Sequence, residues 1–278
     1  MDELLSVRNL SVGFPSLSGI THGVRGISFD VGREKVGIIG ESGSGKSTDG
    51  RAIMRLHPAR AQITADRMRF QGQELLELSE PEMRAIRGHR IAMILQDPKY
   101  SLNPVMTVGE QIAETAMLHE RLGKREAKAR TLEMLERVHI RDPERVWRLY
   151  PHEVSGGMGQ RIMISMMLIA KPALIVADEP TSALDVSVRQ QVLSILDDLV
   201  TEHDMGLLFI SHDLNLVRSF CDRVIIMYAG RIVETLAAGD LDRAQHPYTR
   251  GLLEALPSLT HPRDRLAVLK RDPAWGQA

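Results

Sequence analysis

Short apolar runs alternate with stretches of helical periodicity along most of the chain. Apolar runs of this length are typical of strands buried on both faces, and helical stretches between them indicate crossover connections. Such strands are predicted from KVGIIG, RIAMILQ, ALIVAD and GLLFIS, at 35–40, 90–96, 173–178 and 206–211. The pattern therefore predicts an α/β fold with a mostly parallel core sheet.

Other parts of the chain have different periods. Segments 4–14 and 23–32 alternate apolar and polar residues, which predicts an antiparallel strand group at one edge. Between 107 and 138 the apolar residues have helical spacing, which predicts an inserted helical subdomain. A further amphipathic helix is predicted over 185–203. After 237 the pattern loosens, so we predict a C-terminal extension whose last residues are poorly ordered.

The segment GESGSGKS, which begins at Gly40, follows one predicted strand and precedes a predicted helix. Its glycines let backbone N–H groups point toward a bound phosphate, and the helix adds its positive N-terminal dipole. Lys46 is suited to neutralise terminal phosphates, and the Ser47 hydroxyl is suited to ligate Mg²⁺. The alternative, a flexible glycine–serine loop without function, is disfavoured by the strand before it and the helix after it.

Polar residues follow three other predicted strands. Asp178 is suited to hold Mg²⁺, and Glu179 is suited to polarise an attacking water. Gln96 and His212 end or follow two further strands. Because ligands bind at the carboxyl ends of strands in open α/β sheets, we expect these groups to face the phosphate loop. Taken singly, each has a structural alternative: a solvated acidic pair, a helix cap or a structural histidine.

A second candidate anion-binding helix start is formed by Ser155, Gly156 and Gly157, which precede an apolar, methionine-rich helix. The chain thus has two phosphate-binding ends but one lysine-bearing loop. The simplest explanation of this mismatch is a dimer in which each Ser-Gly-Gly segment closes the nucleotide site of the other copy. The alternative is an ordinary helix cap.

Composition narrows the class of partner. The chain has 35 basic and 36 acidic residues, so charge gives no reason to expect a nucleic acid. Its one cysteine, Cys221, excludes an intrachain disulfide. The longest apolar run, at 162–170, is too short to span a bilayer. If the protein works at a membrane, we expect a partner to supply the membrane part.

Together these segments resemble the ATP-binding subunits of ABC transporters over about 4–257. The resemblance rests on an ordered set of motifs: GESGSGKS, LQDP, SGGMGQR, LIVADEPTSALD and FISHD. It implies a P-loop NTPase with a mostly parallel core sheet, an antiparallel β edge group and an inserted α-helical subdomain. It also implies ATP hydrolysis with Mg²⁺. The expected division is an ATP-binding core (1–96 and 161–236), a helical insert with the signature motif (97–160) and a C-terminal extension (237–278).

The resemblance also implies roles for single residues. Glu179 is the expected general base and His212 the expected switch histidine. The residues expected to bind nucleotide are Phe14, Gly40, Glu41, Ser42, Gly43, Ser44, Gly45, Lys46, Ser47, Thr48 and Gln96. Ser155, Gly156, Gly157 and Asp185 are expected to act across a dimer, and Ser47, Gln96 and Asp178 to hold Mg²⁺. For Phe14, the expected adenine-stacking aromatic, a strand-edge core residue is the alternative.

Within that family, the segments beginning QDPKYSLNP and HPYTRGLLEALP resemble the oligopeptide, dipeptide and nickel importer branch. This implies uptake of peptides or a related small solute, with nickel as the alternative. The expected assembly has two membrane permease subunits and a second, identical or sister, ATP-binding subunit. An extracytoplasmic solute-binding protein delivers the solute, and the chain is peripheral at the cytoplasmic face of the inner membrane. Some relatives carry a cysteine-rich C-terminal segment; its absence here predicts no iron–sulfur cluster.

Two residues depart from the expected pattern. Gly159 stands where a basic residue is usual, and Asp49 lies one turn into the helix after the phosphate loop. The helix dipole favours an acid there, but the triphosphate field opposes it by roughly 0.5–2.5 kcal/mol per unit charge. The hypothesis is weakened ATP affinity, and the alternative is that Asp49 points away and caps the helix.

Two rival functions follow. Because of the departures at Asp49 and Gly159, a weakly hydrolysing regulatory subunit of a heterodimer remains an alternative function. The intact Glu179 and His212 favour an active ATPase. A soluble ABC protein acting on DNA or ribosomes is disfavoured, because the chain has neither a long coiled coil nor two tandem ATPase units.

Overall fold

The structure, a computed structural model, describes residues 3–17, 19–182 and 184–256, together with 269, 272 and 275. The chain forms two compact units: Met1–Leu76 with Leu208–Ala278, and Glu77–Leu207. These boundaries differ from the predicted division at 96/97, 160/161 and 236/237, which concerns functional parts and stays a prediction.

The first unit begins with an antiparallel group of strands. Its first elements are β1 (Leu5–Ser16), β2 (Gly19–Val31), β3 (Lys35–Ile39), α1 (Lys46–Ile53), β4 (Gln62–Thr64), β5 (Arg67–Phe70) and β6 (Gln73–Glu74). β1 pairs antiparallel with β2, β4 and β5, and β5 pairs with β6. The antiparallel edge group is therefore confirmed. The structure adds β4, β5 and β6, which are too short for their alternation to be recognised in the sequence.

The second unit is mainly helical. Its elements are α2 (Glu80–Ile86), β7 (Ile91–Ile94), α3 (Val108–Glu120), α4 (Lys124–Arg137), α5 (Pro143–Trp147), α6 (Gly156–Leu168), β8 (Leu174–Asp178) and α7 (Val186–Glu202). β7 and β8 are parallel and fully buried, as their apolar sequences predict. α3 begins with a capping box between Thr107 and Glu110, which fixes its start one residue from the predicted position.

The chain then returns to the first unit. Its remaining elements are β9 (Gly206–Ser211), which crosses the boundary between the units, α8 (Leu214–Phe220), β10 (Arg223–Tyr228), β11 (Arg231–Ala237) and α9 (Pro247–Glu254). In this unit the strand order is β11-β10-β3-β9. β10 is parallel to β3 and antiparallel to β11. The parallel pairs and the helices between them confirm the α/β class.

Apolar side chains from the strands form the interior of the first unit. The side chains of Val36, Ile38 and Ile39 on β3 are buried, and so is Cys221 after α8. Burial raises the pKa of the Cys221 thiol to about 12, so the thiol stays protonated and unreactive at neutral pH. In the part of the chain that the structure describes, no helix has both the length and the apolar character needed to cross a membrane.

The C-terminal extension contains ordered structure. A 3-10 helix at Ala238–Arg243 and α9 follow β11. The prediction that the last residues are poorly ordered falls outside the described residues, apart from 269, 272 and 275.

Candidate functional site

The phosphate loop in the first unit connects the end of β3 to the start of α1. Gly45 precedes the helix with φ of 103°, a left-handed conformation that favours glycine. A Cβ at this position would also lie 2.5 Å from the carbonyl oxygen of Gly23. Both constraints require glycine at position 45. The tight turn between the loop and α1 therefore depends on this residue.

Lys46 is held over the loop. Its ammonium group donates hydrogen bonds to the carbonyl oxygens of Gly40, at 2.7 Å, and Glu41, at 2.9 Å. The backbone of Ser44 is held as well: its N–H donates to the Glu41 carbonyl at 3.1 Å, and its carbonyl accepts from the Gly230 N–H at 3.0 Å. The loop therefore has a defined conformation and carries its own positive charge.

Phe14 lies near the end of the phosphate loop, although it belongs to β1. Its ring contacts that of His57 edge to face, with centroids 5.3 Å apart. His57 Nε2 is hydrogen-bonded to the carbonyl group of Thr48 at 2.9 Å. His57 thus connects the candidate adenine-stacking residue to the loop. His57 belongs to none of the sequence motifs, so no sequence signal points to it.

His212 occupies the turn after β9, as predicted. The N–H of Asp213 donates to the Ser211 hydroxyl at 3.0 Å, and the Asp213 carboxylate caps α8 by accepting the Leu216 N–H at 3.1 Å. These bonds hold the turn in which His212 is exposed. The histidine is therefore accessible at the carboxyl end of its strand.

Asp178 and Glu179 lie in the second unit at the end of β8. Asp178 is buried, with 4% of its surface exposed. Glu179 has φ of 48°, a left-handed conformation that costs a non-glycine residue about 1–3 kcal/mol and is concentrated at functional sites. The Ser182 N–H and hydroxyl both donate to the Glu179 carbonyl, at 3.3 and 3.2 Å. These bonds help to hold the strained turn.

The segment after Gln96 and the signature segment lie close together in this unit. Asp97 accepts the N–H of Lys99 at 2.9 Å and so begins a short 3-10 helix at Pro98–Tyr100. Asp97, Ser155 and Gly156 line one cavity of about 240 Å³. Gln96 itself follows β7, with one residue between them.

Ser155 and Asp185 are helix caps within the chain. The Ser155 hydroxyl accepts the Met158 N–H at the start of α6. The Asp185 carboxylate accepts the N–H of Val188 at 3.0 Å and the hydroxyl of Ser187 at 2.8 Å, at the start of α7. These bonds lower the pKa of Asp185. The cap alternative given for the Ser-Gly-Gly segment therefore describes Ser155 inside one chain, and Asp185 is a helix cap as well. The role of both residues across a dimer stays a prediction.

The first turns of α6 and α7 are packed against each other. A Cβ on Gly157 would lie 2.7 Å from Val188 Cγ1, whereas a Cβ on Gly156 would meet nothing within 4 Å. The side-chain amide of Gln160 donates to the carbonyl of Pro180, in the turn that follows Glu179. The signature helix is therefore connected to the segment that carries the candidate general base.

Asp49 adopts neither of the two expected arrangements. It does not cap α1, and its side chain is fully buried. Neither carboxylate oxygen has a hydrogen-bond partner among the residues that the structure describes. Burial raises the pKa of Asp49 well above its usual value. Burial without a partner favours the neutral acid, which argues against a charged Asp49 that repels a triphosphate, and its effect on ATP affinity stays a prediction.

Each unit thus contains part of the predicted site. The first holds Phe14, the phosphate loop and His212. The second holds Gln96, Asp178 and Glu179, together with the four residues expected to act across a dimer.

The family model described as ABC transporter matches residues 24–182. The chain is 46% identical to the oligopeptide transport ATP-binding protein OppD of Bacillus subtilis, over 92% of this chain and 73% of that protein. It is 44% identical to the dipeptide transport ATP-binding protein DppD of the same organism, over 93% of this chain and 78% of that protein. The chain belongs to the ABC transporter family.

Solved structures agree with this assignment. The dimeric ABC transporter cassette MJ0796 superposes with a TM-score of 0.74 at 26% identity, covering 84% of this chain and 98% of that one. A second structure of MJ0796, in a post-hydrolysis state with ADP and Pi, gives a TM-score of 0.73. The predicted P-loop NTPase fold is confirmed, and this ABC transporter chain is an ATPase that binds nucleotide.

Proposed function

We propose that this ABC transporter ATPase drives the import of peptides across a membrane. The observation that carries the proposal is the similarity to OppD and DppD, which extends over more than nine-tenths of the chain. Because less than a tenth of the chain lies outside the match, the HPYT segment at the start of α9 falls within it. Both relatives are named for peptide transport, so peptides are the favoured cargo.

The proposed chemistry uses the groups described above. The phosphate-loop N–H groups and Lys46 bind the terminal phosphates of ATP. Glu179 accepts a proton from the attacking water, and His212 helps to position that water. The strained backbone at Glu179 supports this role, because strain of this kind persists where a side chain must be aimed.

The residues proposed to hold Mg²⁺ fit that ion chemically. The Ser47 hydroxyl, the Asp178 carboxylate and the side-chain oxygen of Gln96 are hard oxygen donors, which Mg²⁺ prefers. When bound, Mg²⁺ neutralises charge that develops on the phosphates. Asp178 ends the buried strand β8, and its carboxylate is the one charged oxygen donor of this set.

The proposed assembly is peripheral and closes in pairs. Two ATP molecules join this chain to a second ATP-binding subunit, identical or a sister chain. Ser155, Gly156 and Gly157 of each subunit then face the nucleotide of the other, and Asp185 lies near the same junction. The pair acts on two permease subunits at the cytoplasmic face of the inner membrane. An extracytoplasmic solute-binding protein supplies the peptide.

Transport in proteoliposomes tests this proposal. The chain is co-purified with candidate permease and solute-binding proteins, and ATP-driven uptake of a labelled peptide mixture is measured against uptake of ⁶³Ni²⁺. We expect peptide uptake that is lost when Lys46 is replaced by Ala. Uptake of nickel without peptide would assign the chain to the nickel alternative, and transport without ATP hydrolysis would exclude the proposed mechanism.

A further inference from the structure

The HPYT segment of the C-terminal extension places Tyr248 inside the first unit. Tyr248 lies in the first turn of α9 and is fully buried. Its hydroxyl oxygen accepts a hydrogen bond from the backbone N–H of Glu41, at 3.0 Å. Glu41 is the second residue of the phosphate loop, so the extension contacts the candidate ATP site directly.

The contacted N–H belongs to the same peptide group as the Gly40 carbonyl. That carbonyl accepts the hydrogen bond from Lys46 Nζ, at 2.7 Å. In a planar trans peptide the C=O and N–H point in opposite directions. Tyr248 therefore holds one side of this peptide while Lys46 is bound to the other. Hydrogen bonds linked in this way polarise and orient one another.

The Tyr248 ring is itself fixed by other aromatic rings. Its centroid lies 4.7 Å from that of Tyr228 and 5.9 Å from that of Trp275. Trp275 lies 5.8 Å from Tyr228, so the three rings form one cluster. Such contacts add about 0.5–1.5 kcal/mol each beyond the burial of apolar area. The hydroxyl is therefore presented to the loop from a rigid support.

The start of α9 is also fastened to β11. Glu234 accepts the backbone N–H groups of Gln245, at 2.6 Å, and His246, at 3.3 Å. His246 Nδ1 in turn accepts the N–H of Tyr248, at 3.2 Å. The backbone that carries Tyr248 is thus attached to the strand at the edge of the unit's sheet.

We propose that Tyr248 is a positioning residue for ATP binding. Its hydroxyl holds the peptide between Gly40 and Glu41, and so orients the lysine that meets the phosphates. The inference rests on the proposed role of the phosphate loop. It also assigns a role to the C-terminal extension, which is to hold the phosphate loop in place through the hydrogen bond at Glu41.

The substitution Tyr248→Phe tests the proposal, because it keeps the ring and removes only the oxygen. We expect the Kd for ATP and the KM for ATP to rise about threefold to tenfold, the effect of losing one hydrogen bond, with a smaller change in kcat. Measurements are made with the full chain well below its melting temperature. Tyr150→Phe, at a partly exposed tyrosine of the second unit, is the control and should leave the Kd unchanged.

A purely structural role gives the opposite result: a lower melting temperature with an unchanged Kd for the folded chain, and this would overturn the proposal. Hydrogen exchange supplies a second measurement that needs no variant. In wild-type protein without nucleotide, the Glu41 amide should exchange more slowly than an unprotected amide. If Tyr248→Phe does not fold, unprotected exchange at Glu41 would still overturn the inference.

A third variant separates this proposal from the proposed ATP site. Lys46→Ala should abolish ATP binding. If it does, and Tyr248→Phe stays within about twofold of wild type, the site stands and Tyr248 has no positioning role. If Lys46→Ala binds ATP as tightly as wild type, the proposed site itself is wrong.

Discussion

The acidic residues Glu179 and Asp49 differ in backbone conformation and in burial. Glu179 follows the buried Asp178 in a left-handed conformation that local hydrogen bonds maintain. Asp49 is buried in α1, and its carboxylate has no hydrogen-bond partner among the residues described. The first arrangement supports chemistry. The second disfavours the charged form of a carboxylate in the helix that follows the phosphate loop.

Replacing Glu179 by Gln should slow ATP hydrolysis by about 10²–10⁴-fold, the usual contribution of a positioned general base. ATP binding should change by less than about threefold, because the amide keeps the shape of the side chain. Hydrolysis is measured by phosphate release in the assembled complex. Glu133→Gln, at an exposed position of α4, is the control. Near-normal turnover of the Glu179 variant would remove it from the role.

Replacing Asp49 by Asn should make the protein more stable, and increasingly so as pH rises. Above pH 3.8, the usual Asp pKa, the unfolded chain loses this proton while the folded chain keeps it, so wild-type stability falls with pH. The difference between variant and wild type should grow by up to about 1.4 kcal/mol per pH unit until the folded-state pKa is reached. Urea unfolding from pH 4 to 8 measures it.

The raised pKa of Asp49 has a consequence for ATP affinity. Asp49→Thr should leave the Kd for ATP within about twofold of the wild-type value at pH 7, because burial disfavours the charged form that would repel the phosphates. Isothermal titration with a non-hydrolysable analogue measures the Kd. A clear tightening of binding would mean that Asp49 is ionised in the folded chain.

At the scale of elements, the starts of α6 and α7 form one packed junction. Ser155 and Asp185 cap the two helices, and Gly157 lets α6 approach Val188. The pKa of Arg161 on α6 is lowered by burial, and its guanidinium donates to the His139 carbonyl at 2.8 Å. The junction thus ties the signature helix both to α7 and to the end of the α4 segment.

The two signature glycines offer a matched pair of substitutions. Gly157→Ala should lower the free energy of unfolding by about 1–3 kcal/mol, because its Cβ would overlap Val188. Gly156→Ala should leave stability equal or raise it by up to about 1 kcal/mol, since its Cβ has space and alanine favours a helix. Thermal and urea unfolding compare the two. Equal losses would show that the junction is not tightly packed.

At the scale of the whole molecule, the signature residues gain their proposed role only from a second ATP-binding subunit. With ATP, the Glu179→Gln chain should sediment as a dimer, alone or with its sister chain, because hydrolysis no longer separates the pair. Adding Ser155→Arg should prevent association, since a bulky cation would stand where the other nucleotide must fit. Ser219→Arg, at an exposed position in the last turn of α8, is the control. Unimpaired association of the Ser155 variant would argue against the trans arrangement.

Strand prediction succeeded where burial is continuous. GLLFIS matches β9 residue for residue, whereas RIAMILQ extends beyond β7 because pairing with β8 stops at Ile94. β10 consists of a comparable apolar run, RVIIMY, which the same pattern could have predicted as a strand. β4 and β6 could not be predicted in this way, because strands of two or three residues have too few positions to show a period.

The ordered motifs, the α/β class and the phosphate loop follow from sequence alone, because glycine conformation, strand burial and helix starts depend on neighbouring residues. The roles of Tyr248 and His57 do not. They come from residues far along the chain that reach the loop through folding. The raised pKa of Asp49 also comes from the tertiary structure, since burial and partners shift a pKa from the value that the residue type alone would give.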